Sequence, residues 1–253
     1  MTEARFSLVS DKALLDLMEQ VHFRLDAIPT NASRYAELAS VAAIHQESSA
    51  SLSDMIYADA KAGRVATLAC RAGCSLCCII PSKARGPGTF FRLSILDAVT
   101  LVEHYAEFKA AQPAISDRAI QALADTKSST DMVLCPYLTK DGQCGIYLHR
   151  PVSCKIWFSA DLQLCSDNKA VGYRKGINAK TDESNRLLDE FQKPFVERVK
   201  KIAPELRFHE HDFIESFDEV ARLDQAGLFD MFKLKINSGE LASWNLFDGP
   251  SEF

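Results

Sequence analysis

Four of the chain's eight cysteines fall within nine residues, "CRAGCSLCC", from Cys70 to Cys78. A chain of 253 residues, 47% of them hydrophobic, can bury a full core without covalent staples. The usual reason for dense cysteine in small secreted proteins is therefore missing, and a disulfide framework is the weaker reading. The cluster sits at i, i+4, i+7 and i+8, which is also the spacing of one apolar helix face. Cysteine acting as a small buried hydrophobe would fit that spacing. Gly73 lowers helix propensity inside the stretch, however, and packing does not require cysteine at all four positions.

The remaining cysteines, Cys135, Cys144, Cys154 and Cys165, form a second group far along the chain. Two groups of thiols brought together by a fold point to a metal. Cys74-x2-Cys77 has the spacing of a metal knuckle, in which a tight turn aims both thiolates at one ion. Adjacent side chains such as Cys77 and Cys78 tend to point apart, so Cys78 serves either a second centre or none. Eight cysteines could supply two four-thiolate sites, or one cluster and a smaller site, and spacing does not choose between them.

Charge gives a separate indication. The chain carries a net charge of -5, so its surface has no general attraction for nucleic acid or anionic membranes. Yet there is no acidic residue between Asp59 and Asp97, where Lys61, Arg64, Arg71, Lys83, Arg85 and Arg92 lie. None lies between Asp141 and Asp161 either, where Arg150 and Lys155 occur. Four thiolates around a divalent ion carry a net charge of about -2, which nearby cations and N–H donors offset. Carboxylates there would raise the thiol pKa values and weaken binding. The competing reading is that the basic segment 83–92 receives an anionic substrate.

Periodicity predicts a helix-rich, mainly α (α+β) fold, a single helical domain with a small β-hairpin organised around the cysteine centre. Leu14, Met18, Val21, Leu25 and Ile28 recur at helical spacing before Pro29. A second helix is expected from about Ser33 to Ala62, ended by Gly63, with Tyr35, Leu38, Ala42, Leu52 and Ile56 inward. Ser94 reads as the N-cap of "ILDAVTLVEHYAEF", and "SDRAIQALAD" as another helix. "MVLCPYL" and "CGIYL", joined through Asp141-Gly142, read as a β-hairpin. Thr181 to Ile202 is a long amphipathic helix interrupted by Pro194, and "DFIESFDEVARL" a further one. Residues after Asn237 read as a weakly structured tail. Three segments result: a helical 1–64, a cysteine-cluster region 65–165, and a helical 166–253 that packs on it. The opening residues carry no basic-then-apolar leader pattern, and no apolar run approaches membrane-spanning length, so a cytoplasmic setting is expected.

"CRAGCSLCC" followed by "CPYLTKDGQCGIYLHRPVSCKIW" resembles the YkgJ-type cysteine-cluster proteins, a family described by chelation of zinc or iron. Matching positions are Cys70, Cys74, Cys77 and Cys78, then Cys135, Pro136, Tyr137 and Leu138, then Cys144, Ile146, Tyr147, Arg150, Pro151 and Cys154. The likeness covers about residues 70 to 158. It implies zinc or iron as cofactor, an iron–sulfur cluster included, with Cys70, Cys74, Cys77, Cys78, Cys135, Cys144 and Cys154 as ligands. The first gap is one residue longer than the family's, Lys155 stands where arginine is commoner, and Cys165 falls outside the pattern. Arg150, Lys155 and Tyr147 are expected around the ligands, with Tyr147 and Trp157 read as core residues rather than catalytic ones.

Cys70-x3-Cys74-x2-Cys77 is also similar to the radical SAM signature, but Leu76 stands where that family has an aromatic residue, and helices follow where it has alternating strands and helices. A related cysteine pattern in flagellin lysine methylases keeps an iron–sulfur modifying enzyme as the alternative. His209-Glu210-His211-Asp212 reads as a lead-in to a helix capped by Asp212 rather than as a metal site. Of the histidines, His149 is the candidate substitute ligand, while His45 and His104 fall on predicted helices.

Overall fold

In a computed structural model, the structure describes residues 9–30, 32–64, 68, 78–81, 92–128, 132–156, 158, 163, 179–206 and 208–241. Among them are eight α-helices and four short strands. The first two helices, α1 (Asp11–Asp26) and α2 (Arg34–Lys61), begin where serine supplies a cap. The Ser10 hydroxyl accepts from the Ala13 N–H and the Ser33 hydroxyl from the Ala36 N–H. Helix α1 buries Leu14, Leu17, Val21 and Leu25, with Met18 packed at the margin. Helix α2 ends at Gly63, whose φ of +68° is a conformation that glycine adopts without a Cβ penalty.

The predicted inward residues of α2 are all buried. So are polar ones the pattern did not single out: His45, Gln46, Ser48, Ser49, Ser53 and Asp59. The reason is position. Helix α2 touches α1, α3 (Ile95–Ala111), α5 (Val152–Ile156), α6 (Ala179–Ile202) and α8 (Phe229–Ser238), so little of its circumference meets water. All three sequence segments therefore feed one apolar core that runs from Val9 to Leu241.

Helix α3 starts in a full capping box. Ser94 accepts from the Asp97 N–H, and the Asp97 carboxylate accepts from the Ser94 N–H. Helix α4 (Ile115–Ser128) packs against α7 (Phe213–Ala226). Helix α6 presents Leu187, Phe191, Phe195 and Val199 to the core and continues through Pro194, which removes one intrahelical N–H donor. Helix α8 was not expected, and Gly239, at φ +76°, ends it. Residues 242–253 lie outside the described residues.

The β structure differs from the expected hairpin. Strand β1 (Ile79–Pro81) pairs antiparallel with β3 (Met132–Leu134), so "MVL" finds its partner beside the first cysteine segment. Strand β2 (Arg92–Ser94) pairs with β4 (His209–Asp212), so the His209–Asp212 stretch is an edge of a two-stranded sheet. The Asp141-Gly142 turn forms, but its arms share a single bridge, Leu138 with Cys144, and Tyr147–His149 is a 3-10 turn. The second arm leaves strand geometry at the Tyr147–His149 turn, and Pro151 directly precedes α5. Among the described residues no helix is long and apolar enough to cross a membrane.

Candidate metal centre

Cys78 and Cys135 meet through the backbone. With Ile79 opposite Leu134, they occupy the next rung of the β1–β3 ladder, and the Cys135 N–H donates to the Cys78 carbonyl at 2.7 Å. Two cysteines distant in sequence thus share one sheet end. From Cys135 the chain enters the turn. The Thr139 N–H donates to the Gln143 carbonyl at 2.8 Å, the Gly142 N–H to the Thr139 carbonyl at 3.0 Å, and the Gly145 N–H to the Tyr137 carbonyl at 2.8 Å. Gly142 has φ +73° with open space around it, so conformation alone selects glycine there. Arg118 of α4 anchors the turn by donating to the Leu138 carbonyl at 3.0 Å and to the Gln112 side chain.

Between Cys135 and Cys144 lies Tyr137, fully buried and edge-on to Phe217 at 4.4 Å. Burial pushes its phenol well above the ordinary pKa, and Tyr105, Cys135 and Cys144 push in the same direction. Its hydroxyl has no hydrogen-bond partner among the described residues, nor do the buried Arg150 Nε and Ser153 Oγ. Three orphaned donors thus fall within one cysteine-bearing segment. Because an unmade buried hydrogen bond costs about 1–3 kcal/mol, such donors call for acceptors. Thiolate sulfur is one such acceptor, and Tyr137, between Cys135 and Cys144, is the donor placed to use it.

Cys154 sits on α5, whose position is fixed from both sides. The Val152 N–H donates to Asp97 Oδ1 at 3.1 Å, and Asp97 Oδ1 also accepts from Gln46 Nε2 at 3.3 Å. The ammonium of Lys155 donates to Gln46 Oε1 at 2.5 Å, the Gln46 carbonyl at 2.9 Å and Ser49 Oγ at 3.1 Å. A buried chain of Lys155, the Gln46 amide and Asp97 therefore straps the Cys154 helix to α2 and α3. Burial, aided by Arg150, pushes the Lys155 pKa down to about 8, while Asp97 and Cys154 pull the other way. With three donors spent on α2, Lys155 offers a thiolate charge but no hydrogen bond. Arg150 keeps its guanidinium 4.3 Å from the Tyr147 ring centroid. Tyr147 itself is exposed rather than buried.

Cys78, Cys135, Cys144 and Cys154 are all half-buried. Among the described residues no three of these thiols lie within 4.8 Å of one another. Cys70, Cys74, Cys77, Cys165 and Trp157 lie outside the described residues, as does the basic segment 83–92 apart from the backbone of Arg92. Sequence reasoning assigned no role to Asp97 or Gln46; the Ser94-x-x-Asp97 capping box was the available signal for the first. Gln46, on a helix that packing surrounds, gave none. No family model, no curated protein and no solved structure matches the chain.

Proposed function

We propose that this chain holds zinc or iron through thiolates of both cysteine segments, in the manner of the YkgJ-type proteins that its motif resembles. Cys70, Cys74, Cys77 and Cys78 are the ligands from the first segment, and Cys135, Cys144 and Cys154 those from the second. The observation that carries the reading is the rung joining Cys78 to Cys135, which sets the end of one cysteine segment against the start of the other. The orphaned Tyr137 hydroxyl, which feels Cys135 and Cys144, supports it as a donor with no acceptor beside two cysteines. When bound, the metal supplies a cross-link between β1, the turn and α5, and its binding energy becomes folding energy. Zinc suits the knuckle spacing and a closed structural site; a reducing compartment such as the cytoplasm suits the thiolates.

The iron–sulfur enzyme alternative has less support. Both described sheets are two-stranded and antiparallel, and among the described residues no parallel strand pairing follows the first cysteine segment. Purification with and without oxygen, followed by metal and acid-labile sulfide analysis, tests the proposal. The expected preparation is colourless, with about one or two zinc ions per chain. A brown protein with iron and sulfide would transfer the reading to the iron–sulfur alternative, and a preparation without metal would overturn both.

A further inference from the structure

A second set of metal-ligating side chains stands apart from the cysteines. On α3, His104 and Glu107 are three residues apart, so they project from one face of the helix. The 3-10 turn brings His149 against that face, and one ligand atom from each of the three residues lies within 4.8 Å of the other two. His104 Nδ1 is 3.3 Å from Glu107 Oε1, and His149 Nε2 is 3.9 Å from Glu107 Oε2. Ligands bound at 2.0–2.1 Å to a tetrahedral ion are about 3.3 Å apart, so small side-chain rotations bring all three donors into range.

Several features prepare the group for a cation. The imidazoles stack at 3.8 Å between centroids, 25° from parallel, and Phe108 stands 5.7 Å from the His149 ring. Neutral imidazole is the ligand form. Glu107 is exposed and His104 and His149 about one-third and one-quarter exposed, so solvent reaches the site.

We propose that His104, Glu107 and His149 form a mononuclear site for a divalent transition cation of the zinc class, with its remaining coordination positions open to water or a small anionic ligand. Two imidazoles and one carboxylate with open positions are the donor set of hydrolytic zinc and non-haem iron(II) sites, not of closed structural ones. The proposal uses no cysteine and stands whether or not thiolates hold a metal elsewhere.

The test uses the full chain as purified, with its retained metal measured first. Zinc is then titrated calorimetrically into wild type, His104→Ala, Glu107→Gln and, as a remote exposed control, His22→Ala. The altered side chains are at least partly solvent-exposed, which protects the fold. Wild type and His22→Ala should take up one further equivalent, weakened about tenfold or more in the other two, with retained metal unchanged in all. Cobalt(II) in place of the added zinc should show ligand-field bands without thiolate-to-metal charge transfer. No further equivalent, equal uptake by every variant, or a thiolate charge-transfer band with the added cobalt would each overturn the site. Absence of retained metal would count against the cysteine reading alone.

Discussion

Lys155 and Gln46, distant in sequence, are joined twice: the lysine ammonium donates to both the side-chain and main-chain oxygens of Gln46 in the buried space between α5 and α2. The amide of the same glutamine donates onward to Asp97, so a neutral side chain relays between a buried cation and a buried anion. A cation in the core is tolerated when its donors are matched, and removing one member leaves the rest uncompensated.

Lys155→Met should therefore destabilise the protein by about 3 kcal/mol, because Asp97 loses its counter-charge and Gln46 and Ser49 lose a donor. Gln46→Leu should cost a similar amount. In urea unfolding the double variant should lose clearly less than the sum of the two, as expected of residues in one network. Full additivity would mean that the three groups do not act as a chain.

The turn allows a comparison of two glycines. At Gly142 a Cβ would meet nothing, so Gly142→Ala carries only the positive-φ penalty of about 1–2 kcal/mol. At Gly145 a Cβ would collide with the Gln112 side chain and lie 3.0 Å from the Tyr137 carbonyl oxygen. Gln112 accepts from Arg118, which in turn holds the Leu138 carbonyl. Gly145→Ala should lower the melting temperature more than Gly142→Ala; the reverse order would show that Gln112 yields and the Arg118 anchor matters little.

How far these features could be read in advance follows from their physical origin. Ser33, Gly63 and Ser94 act through hydrogen bonds and dihedrals within a few residues, so the ends of α2 and the start of α3 were legible. The partner of "MVL" was not, because pairing with β1 depends on a contact distant in sequence, and a three-residue strand carries no register signal. Helix α8 was missed although it buries Phe232 and Ile236, since ten residues give little periodicity to count. Cysteine density flagged Cys78, Cys135, Cys144 and Cys154 at once. His104 was placed only on a helix and Glu107 given no role, since one helix face with a histidine and a glutamate is ordinary until the fold sets His149 beside it.

Cys154 and Cys165 should separate under the same substitution. Cys154 is carried on a helix strapped by Asp97 and Lys155, a degree of positioning that suits a ligand. Hydroxyl is a poor replacement for thiolate, so Cys154→Ser should purify with less metal and lower solubility. Cys165→Ser should keep the wild-type metal content by elemental analysis. Equal losses would mean that the centre draws on all eight cysteines.

Metal removal tests whether the centre holds the fold together. The described ligands of the proposed centre flank β1 and β3, sit in the turn and lie on α5. The strands there are three residues long and the turn's arms share the Leu138–Cys144 bridge, while Arg118 and Lys155 tie the turn and α5 to the helices. A metal joining the two cysteine segments would add to these ties a cross-link that no backbone ladder supplies. Structural zinc is worth ~10–16 kcal/mol in small peptides. Even ~4 kcal/mol of that, at ~2–4 °C per kcal/mol for a chain of this size, lowers the melting temperature by about 8–16 °C. A strong chelator under reducing conditions should produce that drop, and restored zinc should reverse it. The loss should be smaller in Cys154→Ser, which has less metal to lose. An unchanged melting curve in protein from which the metal has demonstrably been removed would sink the structural reading, leaving a bound metal that the fold does not need.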